Sequence, residues 1–577
     1  MTAYEPPVKD YDFLLRNVIA TDEVLSAVTA GDVSVDDAMD VVEGAASVVR
    51  PIAELSAIGD RIGSRLKDGT VVTPPGFREA FASYAEGGWI GLAAPESIGG
   101  AGMPRTIAIA SDEFLSAANT AFAMAPQLNS YALAVFAAVN DSELNAIYVP
   151  AMIAGRWTAT MELTEPQAGT DVSAIRTVAK PQDDGTWLLS GQKMFISWGD
   201  HDLAENIIHL VLARTPGAPV GLAGLSLFVV PKLLPRPDGS VGERNAIQCV
   251  SLEHKLGIHA SPTCLIDYDG ATGFLIGEPH RGLQAMFVMM NAARLGTGVQ
   301  GLAVAERAYQ AATAYAAERV QGQVIGRELD TPIAEHPDVR RLLLSMGSGV
   351  SAMRALAVQT AAWLDLSTSE QASTANSAAA LAQLFLPVVK AWLTETGLQI
   401  TSDAIQVHGG MGYVEETGVA QLLRDARIFP IYEGTTAVQA NHLVSRIVSR
   451  DQGASALAAL ELMSETCRKL GELDHQVAVR IASRLESGVA LLRQATLDLL
   501  DRGERPRDVF AAAVPYLHMW GLLAGGWMHG RMLRAVLKGG DTSRERRIVE
   551  ADFYGVHYLS RVAGLADVVA AGETVLT

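Results

Sequence analysis

Glu433 stands in Ile431-Tyr-Glu-Gly-Thr-Thr436, a carboxylate followed by a glycine and two hydroxyl residues. Thr435 or Thr436 can cap a helix carrying Val438, Leu443, Val444 and Ile447, because a hydroxyl accepts from the first free N–H groups of a helical turn. A carboxylate at such an entrance has two readings. It complements the helix dipole, or it takes a weakly acidic proton from a bound substrate. Upstream, Ile405-Gln-Val-His-Gly-Gly-Met-Gly-Tyr413 puts Gln406 before glycines where backbone can approach a ligand closely. Earlier still, Thr164-Glu-Pro-Gln-Ala-Gly-Thr-Asp171 is a turn-rich loop with hydroxyls at its ends, able to cradle a polar ring edge or a phosphate. Gly191-Gln-Lys-Met-Phe-Ile-Ser-Trp198 reads as a strand with Phe195 and Ser197 on one face. That pair can flank a flat heterocycle, or the aromatic can simply pack a sheet.

Other chemistries fail on spacing. There is no G-x-x-x-x-G-K-[S/T] phosphate loop. Gly347-Ser-Gly-Val-Ser-Ala352 matches G-x-G-x-x-A, but it follows a charged helical segment where a dinucleotide site needs a strand, so helix packing explains it better. Cys249, His254, His259 and Cys264 repeat at regular intervals across strand-and-turn sequence, where alternate residues face opposite sides. Zinc sites use shorter first and last spacings, and no metal is expected.

The elements that must carry these residues form a plain succession. Helical periodicity runs from Val33 to about Gly155, interrupted by the Gly/Pro-rich loop Ala94–Pro104. From Trp157, short β-branched runs separated by Asp-Gly, Gly and Pro turns predict an antiparallel β unit closing near Gly282. Long helices follow over Gly282–Val320, Asp338–Leu366, Ser377–Asp403 and Val438–Arg450. The Asp-Gln-Gly break at 451–453 then leads into an alanine-rich helical block. The resulting α+β division is 1–37 as an N-terminal extension, 38–156 helical, 157–281 β, 282–450 helical and 451–577 as an additional helical domain. Val509–Met528 is charge-free and long enough to span a bilayer. Pro515, His518 and three glycines argue instead for a helix buried among helices, so no membrane span is expected.

With 577 residues, one core is too few. Lys+Arg 45 against Asp+Glu 64 gives a net charge of −19, which repels a phosphate backbone and excludes nucleic acid as a natural partner. Three cysteines suit a reducing compartment. The first twenty residues show no basic stretch followed by an apolar run, so a cytoplasmic protein is expected.

Together TEPQAGTD (164–171), GQKMFIS (191–197), AERVQG (317–322), IQVHGGMGY (405–413) and IYEGTT (431–436) resemble the acyl-CoA dehydrogenase family in order and spacing, over about Ala38 to Arg450. The ends, including Ala3-Tyr-Glu-Pro-Pro-Val-Lys-Asp-Tyr-Asp-Phe13 and His201–Arg214, are similar to a longer branch containing the 3-methylthiopropionyl-CoA dehydrogenases. The resemblance implies a helical–β–helical fold with FAD between the middle β domain and the following helices. It implies that Met161, Leu163, Thr164, Gly169 and Thr170 line the flavin, that Phe195 and Ile196 lie at the ring, and that Ser197 meets its polar edge. Arg319 would reach the pyrophosphate or adenosine, Gln406, Val407, Gly409 and Gly410 would do so from a partner subunit, and Thr435 would complete the set. Asn291, Arg294 and Gly434 would face the acyl-CoA. Glu433 would take the α-proton while a hydride leaves the β-carbon for the flavin. A homodimer and electron-transferring flavoprotein as acceptor are further implications.

Three departures stand out. Phe195 replaces a commoner tryptophan, the loop after Arg319 is short and lacks its usual phenylalanine, and Ala437 stands where glutamine is frequent. Rivals on the same scaffold are an oxidase using oxygen, a monooxygenase and a non-enzymatic FAD-binding paralogue; the last two would lack the Glu433 carboxylate.

Overall fold

Period-2 sequence after Trp157 builds a seven-stranded sheet. Its strands are β1 (Trp157–Glu162), β2 (Val178–Pro181), β3 (Trp187–Ser197), β4 (Asn206–Arg214), β5 (Leu225–Pro231), β6 (Ile247–Leu252) and β7 (Thr263–Leu275). The computed structural model describes residues 4–29, 33–236, 238–539 and 543–576, so Ala3 of the N-terminal motif lies outside it. The chain divides into two compact units. One comprises Met1–Ala46, Pro104–Ala117 and Arg294–Thr577, the other Ser47–Met103 and Ala118–Ala293.

In the second unit the strand order is β6-β7-β3-β2-β4-β1, with β5 paired to both β7 and β4. The expected antiparallel pairing holds through most of the sheet, with two corrections: β2 meets β4 in parallel at Val178 opposite Arg214, and β1 and β4 run parallel, Trp157 opposite Asn206 through Glu162 opposite Val211. The long excursion between them, which contains β2 and β3, supplies the crossover a parallel pair needs. β4 and β5 are buried along nearly their whole length and read as continuous apolar runs. Leu189, Val211, Phe228 and Ile266 lie in one core cluster. Each such side chain contributes about 1.5–3 kcal/mol by leaving water. The helix Thr120–Val139, capped by the Asn119 side chain, is anchored by Asn129, which donates to the Met152 and Trp157 carbonyls at 2.9 and 3.3 Å.

The region read as wholly helical before Gly155 also contains a small hairpin, Arg65–Lys67 against Thr70–Val72. Its signal is Asp68-Gly69, both at positive φ, the pair a tight hairpin turn favours. The repeating Cys/His set does not converge. Cys249 and Cys264 are core residues of the sheet, whereas the His259 ring meets the Asp60 carboxylate at 2.8 Å and the Lys255 carbonyl at 3.0 Å.

The first unit is helical. Its main elements are α1 (Gly282–Glu318, whose first part falls in the other unit), α2 (Pro337–Leu366), α3 (Ala372–His408), α4 (Thr436–His442), α5 (Pro506–Lys538) and α6 (Arg544–His557). α1 and α3 approach at backbone distance. A Cβ on Gly397 would stand 2.4 Å from the Gly301 carbonyl oxygen, and one on Gly298 would stand 2.7 Å from Val389. Small residues here have a mechanical purpose: they let Arg294 and Lys390, near this crossing on their two helices, reach the same turn. Gly347 of the G-x-G-x-x-A stretch packs in α2 against Tyr309.

The charge-free stretch 509–528 lies inside α5, with Gly521 and Gly525 closed on Trp392 and Trp520 and Trp527 beside Phe385. Among the described residues four helices are long and apolar enough to cross a membrane, and 72% to 83% of each apolar window is buried within the protein. Arg354, also buried, pairs with Glu113 and Glu306 at 2.6 Å and with Asp10 at 3.4 Å, tying the N-terminal helix Val8–Asn17 to α1 and α2.

Candidate active site

The turn before α4 is held in an unusual conformation. Glu433 has φ +55° and Gly434 +89°, two successive left-handed residues of which only the glycine adopts that region freely. Neighbouring side chains hold the turn in place. Lys390 on α3 donates to the Phe429 carbonyl at 2.8 Å and to the Gly434 carbonyl at 2.6 Å. Gln439 donates to the Glu433 carbonyl at 2.9 Å, and Thr436 donates to Glu395 at 2.6 Å. The Tyr432 hydroxyl donates to Gln300 on α1. Thr435 caps α4 by accepting from the Val438 N–H at 3.3 Å, one of the two caps expected from the sequence.

Glu433 is pulled in two directions, and the opposing pull comes from two cationic side chains. Burial raises its pKa above the ordinary 4.5, and the positive charges of Lys390 and Arg294 oppose the rise without cancelling it. Arg294 is 6% exposed with its charge toward Glu433. Burial brings Lys390 down to about 8, and burial with Arg294 and Arg446 brings His442 to about 4. Such a carboxyl sits closer to neutrality than a surface glutamate, as a proton acceptor working in a dry site should.

In the other unit, the loop after β1 hangs from one buried ion pair. Lys193 on β3 donates to Glu165 at 2.9 Å and to the Leu163 carbonyl at 3.0 Å. Glu165 also accepts from the Arg176 and Thr177 N–H groups and the Thr177 hydroxyl. The loop edge is therefore fixed while its surface stays open. Gly169 and Thr170 are exposed, with nothing within 4 Å of a Cβ built on Gly169. Met161, Leu163, Thr164 and Ser197 are half-buried. Phe195 stands in a bulge of β3, at φ +60° and 56% exposed, while Ile196 beside it is 2% exposed. An aromatic turned outward by a bulge beside hydroxyls and an open glycine fits a flat ring with a polar edge.

Of the remaining expected residues all but Val407 are accessible. Arg319 follows the end of α1, exposed, its guanidinium donating to Gln321 at 3.3 Å. Gln406, Gly409 and Gly410 are exposed at the end of α3, Gly409 at φ +60° and both glycines with open space beside them; Val407 is buried. Asn291 is exposed. The first unit thus brings Glu433, Gly434, Thr435 and Arg294 together, and the second brings together 161–170 and 195–197.

Sequence reading missed Lys390, Glu395, Gln300 and Gln439 around the base, and Lys193 with Glu165 under the loop. Lys390 had a signal: it is the one charge in Leu384-Phe-Leu-Pro-Val-Val-Lys-Ala-Trp-Leu393. A lone ammonium in an apolar helix needs a partner from elsewhere in the fold.

Four family models match in chain order. They are the acyl-CoA dehydrogenase N-terminal domain over 68–156, its middle domain over 160–271, its C-terminal domain over 280–448, and an acetyl-CoA dehydrogenase C-terminal-like domain over 459–577. The 3-methylmercaptopropionyl-CoA dehydrogenase of Ruegeria pomeroyi is 44% identical over 566 residues, 96% of each chain. The broad-specificity linear acyl-CoA dehydrogenase FadE5 of Mycobacterium tuberculosis is 33% identical over 99% of this chain and 98% of its own. An acyl-CoA dehydrogenase from Bacillus anthracis, solved complexed with FAD, shares the fold with a TM-score of 0.74 at 18% identity, over 97% of this chain and 92% of that one. Match by match, from residue 68 to the end, the chain belongs to the acyl-CoA dehydrogenase family of oxidoreductases.

Proposed function

We propose that this protein is an FAD-dependent dehydrogenase placing an α,β double bond in a short acyl-CoA thioester, with 3-methylmercaptopropionyl-CoA the first substrate to test. The observation that carries the reading is the Glu433 turn: a part-buried carboxylate in a left-handed turn, tied by side chains from α1, α3 and α4. Glu433 removes the α-proton. Among the described residues nothing accepts from its own backbone N–H, which leaves that group for the thioester oxygen as negative charge develops there. Arg294 and Gly434 border the acyl group and Asn291 the CoA portion. Tyr432 and Phe429 stack 6.0 Å apart beside the turn.

Met161, Leu163, Thr164, Gly169, Thr170, Phe195, Ile196, Ser197 and Thr435 would hold FAD, Arg319 would meet its pyrophosphate or adenosine, and Gln406, Val407, Gly409 and Gly410 would do so for the cofactor of a partner subunit. When bound, FAD supplies the acceptor for the hydride that leaves the β-carbon. The exposed Gln406–Gly410 segment fits a homodimer in which it serves the partner's cofactor, with electron-transferring flavoprotein as the onward acceptor. The domain limits that accompany this reading are 38–156, 157–281, 282–450 and 451–577.

Two relatives support this choice of substrates to test: one is named for a sulfur-containing three-carbon acyl group, the other for linear chains. The test is anaerobic mixing of the purified yellow protein with 3-methylmercaptopropionyl-, butanoyl-, branched and long-chain acyl-CoAs. Loss of the flavin's visible absorbance with the sulfur compound or butanoyl-CoA is expected. A flavin that stays oxidised with every thioester would overturn the assignment.

A further inference from the structure

Lys390 has no exposed surface. Its ammonium ends on two backbone carbonyls, Phe429 and Gly434, which bracket the turn carrying Glu433. Two carbonyls need only a neutral donor such as a glutamine amide, and burying an ammonium costs several kcal/mol more. A buried charge kept where a neutral group would serve points to something that uses the charge. The Glu433 carboxylate is that group. It feels Lys390 and Arg294 as opposing positive charges, while its hydrogen-bonded support comes through its backbone.

Resting on the proposed role of Glu433, we propose that Lys390 is a positioning residue for the base: its ammonium closes the turn that carries Glu433 and supplies the positive field in which the carboxylate works. Other groups set the background. Arg294 faces the carboxylate from α1, Glu395 faces Lys390 from α3, His442 stands at the end of α4, and Tyr432 precedes the base with its phenol raised by burial. Arg294 is the second cation of the site, so losing Lys390 weakens the positive field and does not abolish it. The sign is fixed by electrostatics: a nearby cation favours the carboxylate, so its removal requires higher pH to form the base.

The experiment compares Lys390→Met, Lys390→Gln and Lys390→Arg with the wild-type holoenzyme and reads the acid limb at about pH 7 and below, where Lys390 itself is mostly charged. Two rates are followed against pH. One is flavin bleaching by the best acyl-CoA. The other is exchange of the α-protons of acetyl-CoA with D2O by NMR, which reports proton removal alone because acetyl-CoA has no β-carbon. In Lys390→Met and Lys390→Gln the acid limb of both profiles should move up by about one pH unit, the lower end for loss of a close opposite charge. The plateau at high pH should change less than the rate at neutral pH. Gln keeps the donor and loses the charge, so it separates field from hydrogen bonding, and Arg should restore the limb.

A uniform loss of rate with the limb unmoved overturns the proposal. If Met fails to fold or loses FAD, Gln and Arg carry the test, and equal limbs in those two also overturn it. A Glu433→Gln protein that still exchanges acetyl-CoA protons at the wild-type rate would instead sink the assignment of the base. That outcome is distinct from a normal Glu433 dependence with an unmoved Lys390→Gln limb.

Discussion

Each unit contains a lysine with no exposed surface that ties a functional loop, and the two lysines are used differently. Lys193 touches a carboxylate, Glu165, and that carboxylate is saturated by Arg176 and Thr177, so the charges cancel inside the scaffold. Nothing of that pair is left over to act on a ligand. Lys390 touches only carbonyls, and the carboxylate it influences belongs to the group proposed to do the chemistry. The loops differ in the same sense. The 164–171 loop is pinned beneath and open above, whereas the Glu433 turn is tied on several sides by Lys390, Gln439 and the Tyr432–Gln300 bond. Around a large cofactor the protein supplies a rigid edge and leaves the surface to the ligand. Around a proton acceptor it must supply the environment itself.

Replacing Glu433 tests this contrast with the largest effect. Glu433→Gln keeps size and hydrogen bonding and removes the charge on which Lys390 acts. Turnover should fall by a factor of about a hundred to ten thousand, in kcat and kcat/KM together, as when a positioned base is lost. Steady-state kinetics with the best acyl-CoA measures it, with flavin absorbance as the check that FAD is retained. A variant that keeps most of its activity places the base elsewhere and leaves Lys390 as scaffold, no different in kind from Lys193.

Several of these residues were legible in the sequence because their signals are local. Thr435 was readable as a cap since a hydroxyl before an apolar helical period has few other uses. The β unit showed in its two-residue period. Lys390 and Glu433 are far apart in sequence, and periodicity reports which face of an element is apolar, not which remote element supplies a counter-charge. The bulge that turns Phe195 outward escaped for a related reason: it is a pairing event, an extra residue of β3 opposite Leu265, and no single strand records its partner's register. The parallel pairing of β1 with β4 was hidden likewise. What stayed illegible is what depends on tertiary pairing.

An intermediate effect is expected from the other lysine, read as stability. Lys193→Met leaves the Glu165 carboxylate buried without its counter-ion, which should destabilise the protein by about 3 kcal/mol. Glu165 keeps its backbone donors, so the lower end of that range applies. Chemical denaturation of the FAD-free protein measures the loss. The double variant Lys193→Met with Glu165→Gln should recover part of it, because a neutral side chain no longer requires a charge partner. If the single variant is as stable as wild type, the ion pair does not hold the loop, and the contrast between a neutralised lysine and an active one loses its first half.

Phe195 gives the smallest effect and tests whether the open loop is open for a ligand. A bulky residue at φ +60° is strained by about 1 kcal/mol or more. More than half its surface faces solvent, so little packing offsets that strain within the unit. Phe195→Gly removes the strain and raises the entropy of the unfolded chain by about 0.4–1 kcal/mol, two effects of opposite sign. The FAD-free protein should therefore melt within about 1 kcal/mol of wild type. What the variant loses is the aromatic face offered to the cofactor, worth about 0.5–1.5 kcal/mol, so FAD affinity measured by flavin fluorescence should weaken by roughly two- to twelvefold. A clear drop in the melting temperature with unchanged FAD affinity would mean that Phe195 packs the sheet, and the bulge would then be a feature of folding. Weakened FAD binding at unchanged stability would set Phe195 apart from Lys193 below it: the lysine holds the loop whether or not the cofactor is present, and the phenylalanine matters only once it arrives.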